Sequence, residues 1–548
     1  MNRRDFLKTI GAAACLSGCS PQQAAAFPEG KLLGVSSSIG HQLRDGKFPA
    51  PDSKRRVHIA IVGAGVSGLS AAWALARAGV DDFTVLELER EPGGNSRAGR
   101  NAFTAYPWGA HYLPIPTQES VAVRAMLAEF GVLQGDPSDP RPRYDELHLC
   151  HAPQERLYIN GLWQEGLMPH TGASRSDLDQ FHRFDELMQS YKHRRDAQGR
   201  KAFAIPMALS SRDPDLLALD QITFRDFLLA KGLDSQPLHW YADYSCRDDY
   251  GSTAAQTSAW AGLHYFCCRD GDAANASPGS VLTWPEGNAW LTRRLAERAG
   301  SRLQTGAVVF HVEEKSNGVE MDVYHAGENR SERISADHVI WASPLFALPR
   351  IQPDCPADLS AAIGQLSHAP WLTANLTLRS LPARTSPVKV IPGGAPLSWD
   401  NVLYGTSSLG YVVATHQHLR VTPAPTVLTY YRALSEDQPA KGRQRLLQTT
   451  WRIWAEDIMR ELSVPHPDLP KLVQRIDIWR NGHAMVRPTV GFIWGKARER
   501  MLQPGQRLHL AHADLSGFSV FEEAQYRGVL AAERVMRALS VRYSSLLA

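Results

Sequence analysis

Cysteine is scarce in this sequence of 548 residues: there are seven, and no two have C-x-x-C spacing. The sequence therefore gives no support for a disulfide framework, and no metal site is expected. The formal net charge is only +3, and Arg3, Arg4 and Lys8 near the N-terminus account for most of it, so no basic surface for nucleic acid is expected. No apolar run approaches the about 20 residues that a membrane-spanning helix needs.

The N-terminus resembles an export signal. Arg3-Arg4 precede a short apolar run, Thr9 to Gly18, as in signals of the twin-arginine export machinery. Two processing sites remain open: Leu16-Ser17-Gly18-Cys19 resembles a lipoprotein box with an acylated Cys19, which we favour, and Ala24-Ala25-Ala26 fits ordinary cleavage. Both predict an exported, periplasmic protein. A lipidated Cys19 would attach it to a membrane.

A strand–turn–helix pattern follows. The apolar run Val57 to Val62 ends in Gly63-Ala64-Gly65-Val66-Ser67-Gly68, and a segment rich in Ala and Leu comes next. In this context the first glycine permits a tight turn, the second lets the backbone approach a pyrophosphate, and the third lets the helix pack against the strand. The pyrophosphate would lie on the helix N-terminus.

A second strand, Phe83 to Glu87, ends in an acid about 20 residues beyond the glycines, where a ribose-binding carboxylate belongs. A carboxylate at Glu87 would repel a 2′-phosphate, which disfavours NADP. The sequence thus predicts an α/β dinucleotide-binding unit that begins near Lys54.

Aromatic residues concentrate between Trp240 and Phe266, within a region that reads as mostly helical. Two interpretations stay open, a helix core or a substrate pocket. The adjacent Cys267 and Cys268 are interpreted as part of a buried helix rather than a redox pair. A strand, an acid at Asp514, a glycine and a final helix close the chain.

Four separated segments resemble the FAD-dependent amine oxidase superfamily, which includes phytoene-desaturase-like and protoporphyrinogen-oxidase-like enzymes. They are Gly63 to Glu87; Gly93-Gly94-Asn95-Ser96-Arg97; Pro285 to Leu295 with the strands up to Ala342-Ser343-Pro344; and Asp514 to Ala532. The resemblance implies non-covalently bound FAD, because the covalent members use a cysteine late in the chain and the last one here is Cys355. It also implies a small-molecule substrate, with dioxygen or a quinone as electron acceptor.

The implied fold is α/β, with a discontinuous Rossmann-like FAD-binding domain and an inserted α+β substrate domain. The expected ranges are a signal peptide (1–26), a linker (27–53), FAD-binding parts (54–116, 284–345 and 495–548), a helical substrate part (117–283) and a sheet substrate part (346–494).

The resemblance also implies cofactor-binding residues. They are Gly63, Gly65, Val66, Ser67, Gly68, Glu87, Leu88, Gly93, Gly94, Asn95, Arg97, Gly109, Ala110, His111, Val308, Val309, Ala342, Asp514, Glu523 and Ala524. Of these, Glu523 stands where the family has glycine, which conflicts with a close approach of the backbone to the flavin.

No catalytic base stands out. His483 lies in a segment that resembles the family's flavin-lining stretch and could act on an amine, although a structural hydrogen-bonding role is at least as compatible with the sequence. Lys389 is a weaker candidate for a lysine beside the flavin. The segment Ser398 to Tyr411, dense in aromatic and polar groups, forms either a substrate wall facing the flavin or a sheet with buried aromatics.

Three functions remain open at this point. The first is an FAD-dependent amine oxidase or dehydrogenase. The second is a flavin desaturase or dehydrogenase that acts on an apolar substrate at a membrane. The third is a flavin-binding envelope protein without catalysis, which Glu523 and the missing base leave open.

Overall fold

The structure is a computed structural model that describes residues 27–46, 48–383, 394–418, 424–436 and 438–547. The predicted export signal with Cys19 and Ala24-Ala25-Ala26, and the candidate Lys389, lie outside the described residues. None of the helices in the described ranges is both long enough and apolar enough to cross a membrane.

The described secondary structure comprises strands, α-helices and short 3₁₀ turns. The strands are β1 (Leu32–Gly34), β2 (Ser53–Val62), β3 (Phe83–Glu87), β4 (Ala98–Arg100), β5 (Ala105–Pro107), β6 (Tyr112–Pro114), β7 (Leu133–Gln134), β8 (Arg143–Tyr144), β9 (Glu155–Ile159), β10 (Leu162–Glu165), β11 (Val281–Thr283), β12 (Leu303–Thr305), β13 (Ala307–Lys315), β14 (Gly318–His325), β15 (Arg330–Trp341), β16 (His368–Leu378), β17 (Asp400–Leu403), β18 (Tyr411–Val413), β19 (Thr426–Ala433), β20 (Val473–Val486) and β21 (Leu508–Leu510).

The helices are α1 (Ser37–Asp45), α2 (Val66–Arg77), α3 (Val121–Glu129), α4 (Arg175–His193), α5 (Pro214–Ala218), α6 (Phe224–Ala230), α7 (Gln236–Tyr250), α8 (Ala259–Cys267), α9 (Ala289–Ala299), α10 (Leu348–Ile351), α11 (Ala357–Ile363), α12 (Pro439–Gln448), α13 (Trp451–Leu462), α14 (Leu469–Leu472), α15 (Lys496–Leu502) and α16 (Phe521–Ala538). The 3₁₀ turns are Met207–Leu209, Leu219–Gln221, Gly300–Arg302, Leu345–Ala347 and Ala513–Leu515.

A mixed sheet carries the dinucleotide-binding unit. Its strand order is β12-β3-β2-β15-β14-β13, with β21 beside β15. β2, β3, β12, β15 and β21 run in parallel, and β14 and β13 add an antiparallel meander. The inner half of β2 is a nearly continuous buried run, as expected for a parallel strand covered on both faces. Three distant parts of the sequence supply these strands, so the domain is discontinuous.

The first and last helices of this domain pack against each other. Leu69 and Trp73 of α2, Leu295 of α9 and Val529 and Val535 of α16 belong to one buried cluster on the sheet. At Gly528 the two helices are so close that an added Cβ would lie 2.0 Å from the Ser67 carbonyl oxygen. The absence of a side chain at Gly528 therefore sets how near the C-terminal helix comes to the glycine-rich turn.

A second sheet forms the other half of the molecule, with strand order β1-β20-β16-β19-β18-β17-β9-β10. It takes β9 and β10 from the region expected to be helical, and β1 from the segment 27–53, which was expected to be a linker and also contains α1. These pieces are only three to nine residues long. Such short segments carry too little periodicity to be recognised before their partners are known.

The aromatic stretch forms α7 and α8. Trp260 and Tyr250 are buried in the core, and Tyr244 reaches a cavity described below. Cys267 and Cys268 are buried free thiols, and burial raises the pKa of Cys267 to about 12. The helix-core interpretation is therefore confirmed for Trp260 and Tyr250, and the substrate-pocket interpretation stays a prediction for Tyr244.

Replacing Gly528 by alanine should force α2 and α16 apart, because the new Cβ would meet the Ser67 carbonyl. We expect Gly528→Ala to lower stability by about 1–3 kcal/mol. The matched control is Gly40→Ala on α1, where a Cβ meets nothing within 4 Å, and which should leave stability unchanged or raise it by up to about 1 kcal/mol. Thermal unfolding of both variants measures the difference; equal melting temperatures would contradict the tight contact.

Candidate cofactor and active site

The glycine-rich turn has the geometry that its sequence predicts. Gly63 has φ +100° and donates its N–H to the Leu86 carbonyl at 2.7 Å. A Cβ at Gly68 would lie 1.8 Å from the Gly63 carbonyl oxygen, so this glycine is required for packing. α2 starts after Gly65 without a side-chain cap. The N–H groups of its first turn, at Val66 and Ser67, are therefore the natural partners of a pyrophosphate.

Glu87 ends β3 and is buried beside this turn. Its Oε2 accepts the Ala64 N–H at 2.6 Å, and its Oε1 accepts the Glu89 N–H at 2.9 Å. Burial raises the pKa of Glu87, against the effect of these hydrogen bonds. Each carboxylate oxygen has two lone-pair sites and uses one, so both could still accept ribose hydroxyls. Leu88 continues from this strand end.

The second glycine pair approaches the first turn closely. Gly93 has φ +122° and donates its N–H to the Ala64 carbonyl at 2.8 Å; Gly94 has φ +57°. A Cβ on Gly94 would lie 3.2 Å from the Cα of Gly65. Two bare backbones thus face each other at the helix N-terminus, which leaves an approach for phosphate that side chains would fill.

Arg97 is held in place beside this pair. Its Nε donates to the Gly94 carbonyl at 3.0 Å, its Nη1 lies 3.2 Å from Glu89 Oε2, and its guanidinium lies 4.7 Å from the centroid of the Trp479 ring. Asn95 bonds the Ala484 carbonyl and accepts from Asn481 at 2.9 Å. These contacts tie the second glycine pair to β20 of the other sheet.

The loop of Gly109, Ala110 and His111 lies against Asn95, next to the second glycine pair. A Cβ on Gly109 would lie 2.3 Å from the Asn95 carbonyl oxygen, and Ala110 donates its N–H to that oxygen at 3.0 Å. The His111 ring stacks on Tyr431 with centroids 4.4 Å apart. Burial lowers the pKa of His111 to about 4, so the ring is neutral at physiological pH.

A cavity lies between the two sheets. Its empty volume is about 1210 Å³, part of it open to solvent. Six of the predicted cofactor residues line it: Gly94, Asn95, Arg97, Gly109, Ala110 and His111. The segment just before the last helix and the first turn of that helix, Ser519 to Glu522, also line it. The structure therefore brings the second glycine pair and the C-terminal helix, distant in sequence, to one cavity.

Other predicted cofactor residues do not line this cavity. Val308 and Val309 are buried on β13, and Ala342 packs against the glycine-rich turn, 3.2 Å from the position of a Cβ on Gly68. Ala524 is in the first turns of α16. Their predicted contacts with FAD stay predictions.

Asp514 is fully buried with both carboxylate oxygens engaged by protein. Oδ1 lies 2.9 Å from His368 Nε2, and Oδ2 accepts the Leu345 N–H at 3.0 Å. Although burial raises the pKa of Asp514, His512 and His368 lower it more, and the net pKa lies well below its usual range. The structure shows Asp514 holding the turn after β15 against the last helix, and it does not line the cavity.

The Glu523 side chain does not line the cavity, and the predicted conflict with a close approach of its backbone to the flavin stays a prediction. Its Oε1 accepts the Met207 N–H at 2.5 Å, so the carboxylate points into the protein, away from the cavity wall. The neighbouring Glu522 lines the cavity instead, and burial raises its pKa to about 7. The glycine of the family motif is therefore replaced here without placing a side chain in the cavity.

His483 is not among the residues that line the cavity, although its neighbours Asn481, Ala484 and Met485 are. Its ring packs on Phe346, with centroids 4.5 Å apart. Desolvation, with help from the charge of Arg443, lowers its pKa to about 4. The candidate catalytic histidine thus packs outside the cavity, in a part of β20 where the pairing with β16 is irregular between Asn481 and Met485.

Residues that the sequence analysis did not single out form the rest of the cavity. Its walls include four aromatic side chains from separate elements, Tyr112, Tyr244, Trp371 and Tyr431. From the segment Ser398 to Tyr411, Asp400 and Leu409 reach the cavity. These two residues therefore form part of the cavity wall, and whether that wall faces substrate and flavin stays a prediction.

Carboxyl groups outnumber basic groups in the part of the cavity that these aromatic side chains line. Asp249 pairs with Arg269 at 2.6 and 2.7 Å. Asp248 Oδ2 accepts only from the Tyr112 hydroxyl, at 3.4 Å, and its Oδ1 accepts no hydrogen bond from the described part of the chain. Burial, and then the charge of Asp249, raises the pKa of Asp248 to about 7. Burial, and then Asp248, raises the pKa of Asp400 well above its usual range.

One sequence signal could have indicated these acids. Asp248 and Asp249 are adjacent at the end of a helix that also carries several aromatic residues, and carboxylates in such surroundings are costly unless a ligand or partner needs them. Asp400 belongs to the segment Ser398 to Tyr411 that the sequence indicated, but only the pairing of β17 with β9 places it beside the cavity.

The family model described as flavin-containing amine oxidoreductase matches residues 66–536. The chain belongs to this family. It is 24% identical over 290 residues to the oxidoreductase PigB of Serratia sp., and that match spans 52% of this chain and 41% of PigB.

Solved structures show the same fold. A double mutant of putrescine oxidase superposes with a TM-score of 0.66 at 16% identity, over 88% of this chain and 100% of that one. Cyclohexylamine oxidase from Brevibacterium oxydans gives 0.62 at 15% identity, over 88% and 99%. At these identities the likeness concerns the fold alone, and it confirms the expected α/β class. Family membership confirms FAD as the cofactor.

The residues present fit FAD. Both helices that meet the site, α2 and α16, begin without a side-chain cap, which leaves N–H donors for anionic and carbonyl groups. The bare backbones at Gly65 and Gly94 and the cation of Arg97 suit a pyrophosphate, and Glu87 suits a ribose.

Replacing Glu87 by alanine should weaken FAD binding on the order of tenfold or more, because charge-assisted hydrogen bonds to the ribose are lost and the Ala64 N–H loses its partner. The flavin content of desalted Glu87→Ala protein, read from absorbance, measures this. Glu297→Ala on exposed α9 surface is the control and should retain wild-type flavin. Unchanged flavin in Glu87→Ala would contradict the assigned role.

Proposed function

We propose that this protein uses FAD to oxidise a small amine that carries no carboxylate. The observation that supports this most is the charge balance on the substrate side of the cavity. Asp248, Asp249, Asp400 and Glu522 face a single arginine, Arg269, among aromatic walls. An ammonium group would relieve the repulsion between these carboxylates and would be held by aromatic faces.

The chain's own groups would bind and orient the amine. Bound FAD supplies the acceptor for the hydride that leaves the carbon next to nitrogen. Asp248 Oδ1 is available to accept a hydrogen bond from the substrate ammonium, and its pKa of about 7 suits it to take up that proton near neutral pH. Tyr112, Tyr431 and Trp371 exclude water from the reacting carbon.

An amino acid fits the same cavity less well. Its carboxylate would need an unpaired cation, but Arg269 already pairs with Asp249 through both carboxylate oxygens. Breaking a buried pair of this kind is costly. The arrangement therefore favours amines over amino acids within the first of the three candidate functions.

The decisive experiment is anaerobic mixing of the purified yellow protein with donors of different classes. We expect primary amines and diamines to bleach the flavin absorbance, and L-amino acids to do so at least about tenfold more slowly, since an unmatched carboxylate costs on the order of 1–3 kcal/mol. Admission of air, or of a quinone, should restore the colour and identify the electron acceptor.

Other outcomes would contradict the proposal. Bleaching by lipophilic donors alone would support a desaturase-like enzyme. Bound flavin that no donor class reduces would support a protein without catalysis.

Asp248 should give the reaction a pH dependence. Since its pKa is about 7, the group is protonated below that pH and binds a cation poorly, so kcat/KM for an amine should rise through about pH 7. Asp248→Asn should lower kcat/KM on the order of tenfold or more and reduce that step. The pKa of Glu522 is also raised to about 7. The double variant Asp248→Asn with Glu522→Gln should therefore abolish the rise of kcat/KM through about pH 7.

The exposed Asp179→Asn on α4 is the control for this profile and should match the wild type. An unchanged pH profile in the double variant would show that these carboxyl groups do not bind the substrate.

Export through the twin-arginine machinery and anchoring through Cys19 remain part of the proposal. They rest on Arg3-Arg4 and on the lipoprotein-like box alone.

A further inference from the structure

The N-terminal segment 29–46, named here the strap, links the two sheets that enclose the cavity. Its strand β1 pairs in parallel with β20, with Leu33 opposite Trp479. The Glu29 and Lys31 carbonyls accept the N–H groups of Ile476 and Ile478, each at 2.8 Å. The strap is therefore an edge strand of the second sheet, directly beside a tryptophan of the cavity wall.

Gly34 shows how tightly this pairing fits. A Cβ on Gly34 would lie 2.8 Å from the Arg480 carbonyl oxygen. By contrast, a Cβ on Gly40, farther along the strap, would meet nothing within 4 Å. A substitution at Gly34 should therefore loosen the strap, whereas a substitution at Gly40 should be a neutral change within it.

At Ser36 the strap crosses to the FAD-binding domain. The Ser36 N–H and hydroxyl each donate to Glu89, to Oε1 and Oε2 respectively, both at 2.8 Å. Glu89 in turn lies 3.2 Å from Arg97 Nη1, and its backbone N–H donates to Glu87 Oε1 at 2.9 Å. Glu89 thus joins the strap to both residues expected to hold the cofactor, to Arg97 through its side chain and to Glu87 through its backbone N–H.

Arg97 is contacted from the strap side twice. Glu89 holds its Nη1, and Trp479, paired with Leu33 of β1, lies under its guanidinium at 4.7 Å. Beyond Ser36, Leu43 of α1 packs against a buried cluster that includes Val62 of β2 and Ile351 of α10.

We propose that the strap is part of the cofactor site: it fixes Glu89 and Arg97 and closes the gap between the two sheets, so that bound FAD leaves slowly. This inference depends on the proposed function only in that the chain binds FAD. Ser36 acts through Glu89 and is a positioning residue. A chain without the Ser36 contacts should fold and still bind FAD, but release it faster.

The test compares Ser36→Pro with Ser36→Thr in the full holoprotein. Proline removes both donors to Glu89 and accepts the φ of −68° that Ser36 already has; threonine keeps both donors. We expect Ser36→Pro to release FAD on the order of tenfold faster, because hydrogen bonds to a charged group are lost, and Ser36→Thr to behave as wild type. The rise in flavin fluorescence after dilution measures release.

A second pair of variants tests the strap independently of Ser36. Gly34→Val should push β1 from β20 and also speed release, whereas Gly40→Ala should not. Limited trypsin cleavage after Lys31 reports loosening of the strap, and circular dichroism with apoprotein melting reports that the fold is intact.

The outcomes separate the two proposals. If the strap is loosened in Ser36→Pro or Gly34→Val but FAD leaves at the wild-type rate, the strap has only a structural role and the inference is wrong. A wild-type chain that binds no FAD would contradict the proposed function and the inference together. Fast release in the loosened variants, whatever donor reduces the flavin, would support the strap alone.

Discussion

The contact of α2 with α16 is the constraint on which the site depends. The two helices come from opposite ends of the described chain and meet where Gly528 has no side chain against the Ser67 carbonyl. Both begin without a side-chain cap, one at the glycine-rich turn and one at the cavity. Their first turns therefore keep N–H groups without side-chain caps at two separate parts of the site, which suits a long ligand with an anionic centre.

Two groups of carboxylates at and around the site differ in their partners. Glu87, Asp514 and Glu523 accept backbone N–H groups or pair with histidine. Asp248 and Glu522 line the cavity and have pKa values raised to about 7. The first group stabilises turns and helix ends, with Glu87 retaining capacity for a ribose. The second group lacks protein cations of its own, which is the charge pattern expected where a cationic ligand enters.

Local sequence was sufficient for the dinucleotide-binding turn, for Glu87 at the end of its strand and for the final helix, because each depends on neighbours within a few residues. It failed for the segment 27–53 and for β9 and β10, whose short strands exist only through pairing with distant ones. It also placed His483 at the site, since β20 does line the cavity, but this side chain packs on Phe346 in the irregular part of the strand between Asn481 and Met485.

The sequence by itself determined the α/β class and a dinucleotide-binding unit, because glycines with forced backbone geometry and apolar runs of fixed period leave few alternatives. Its resemblance to the amine oxidase superfamily implied FAD. Only the tertiary structure decided which acids and aromatics surround the substrate, since Asp248, Asp400 and Tyr431 come from a helix and two strands that meet only after the second sheet has formed. The tertiary structure was also needed to show that the Glu523 side chain turns away from the cavity. Its hydrogen-bond partner, the Met207 N–H, is far from Glu523 in sequence. Side-chain direction and long-range proximity follow from packing, which no local pattern encodes.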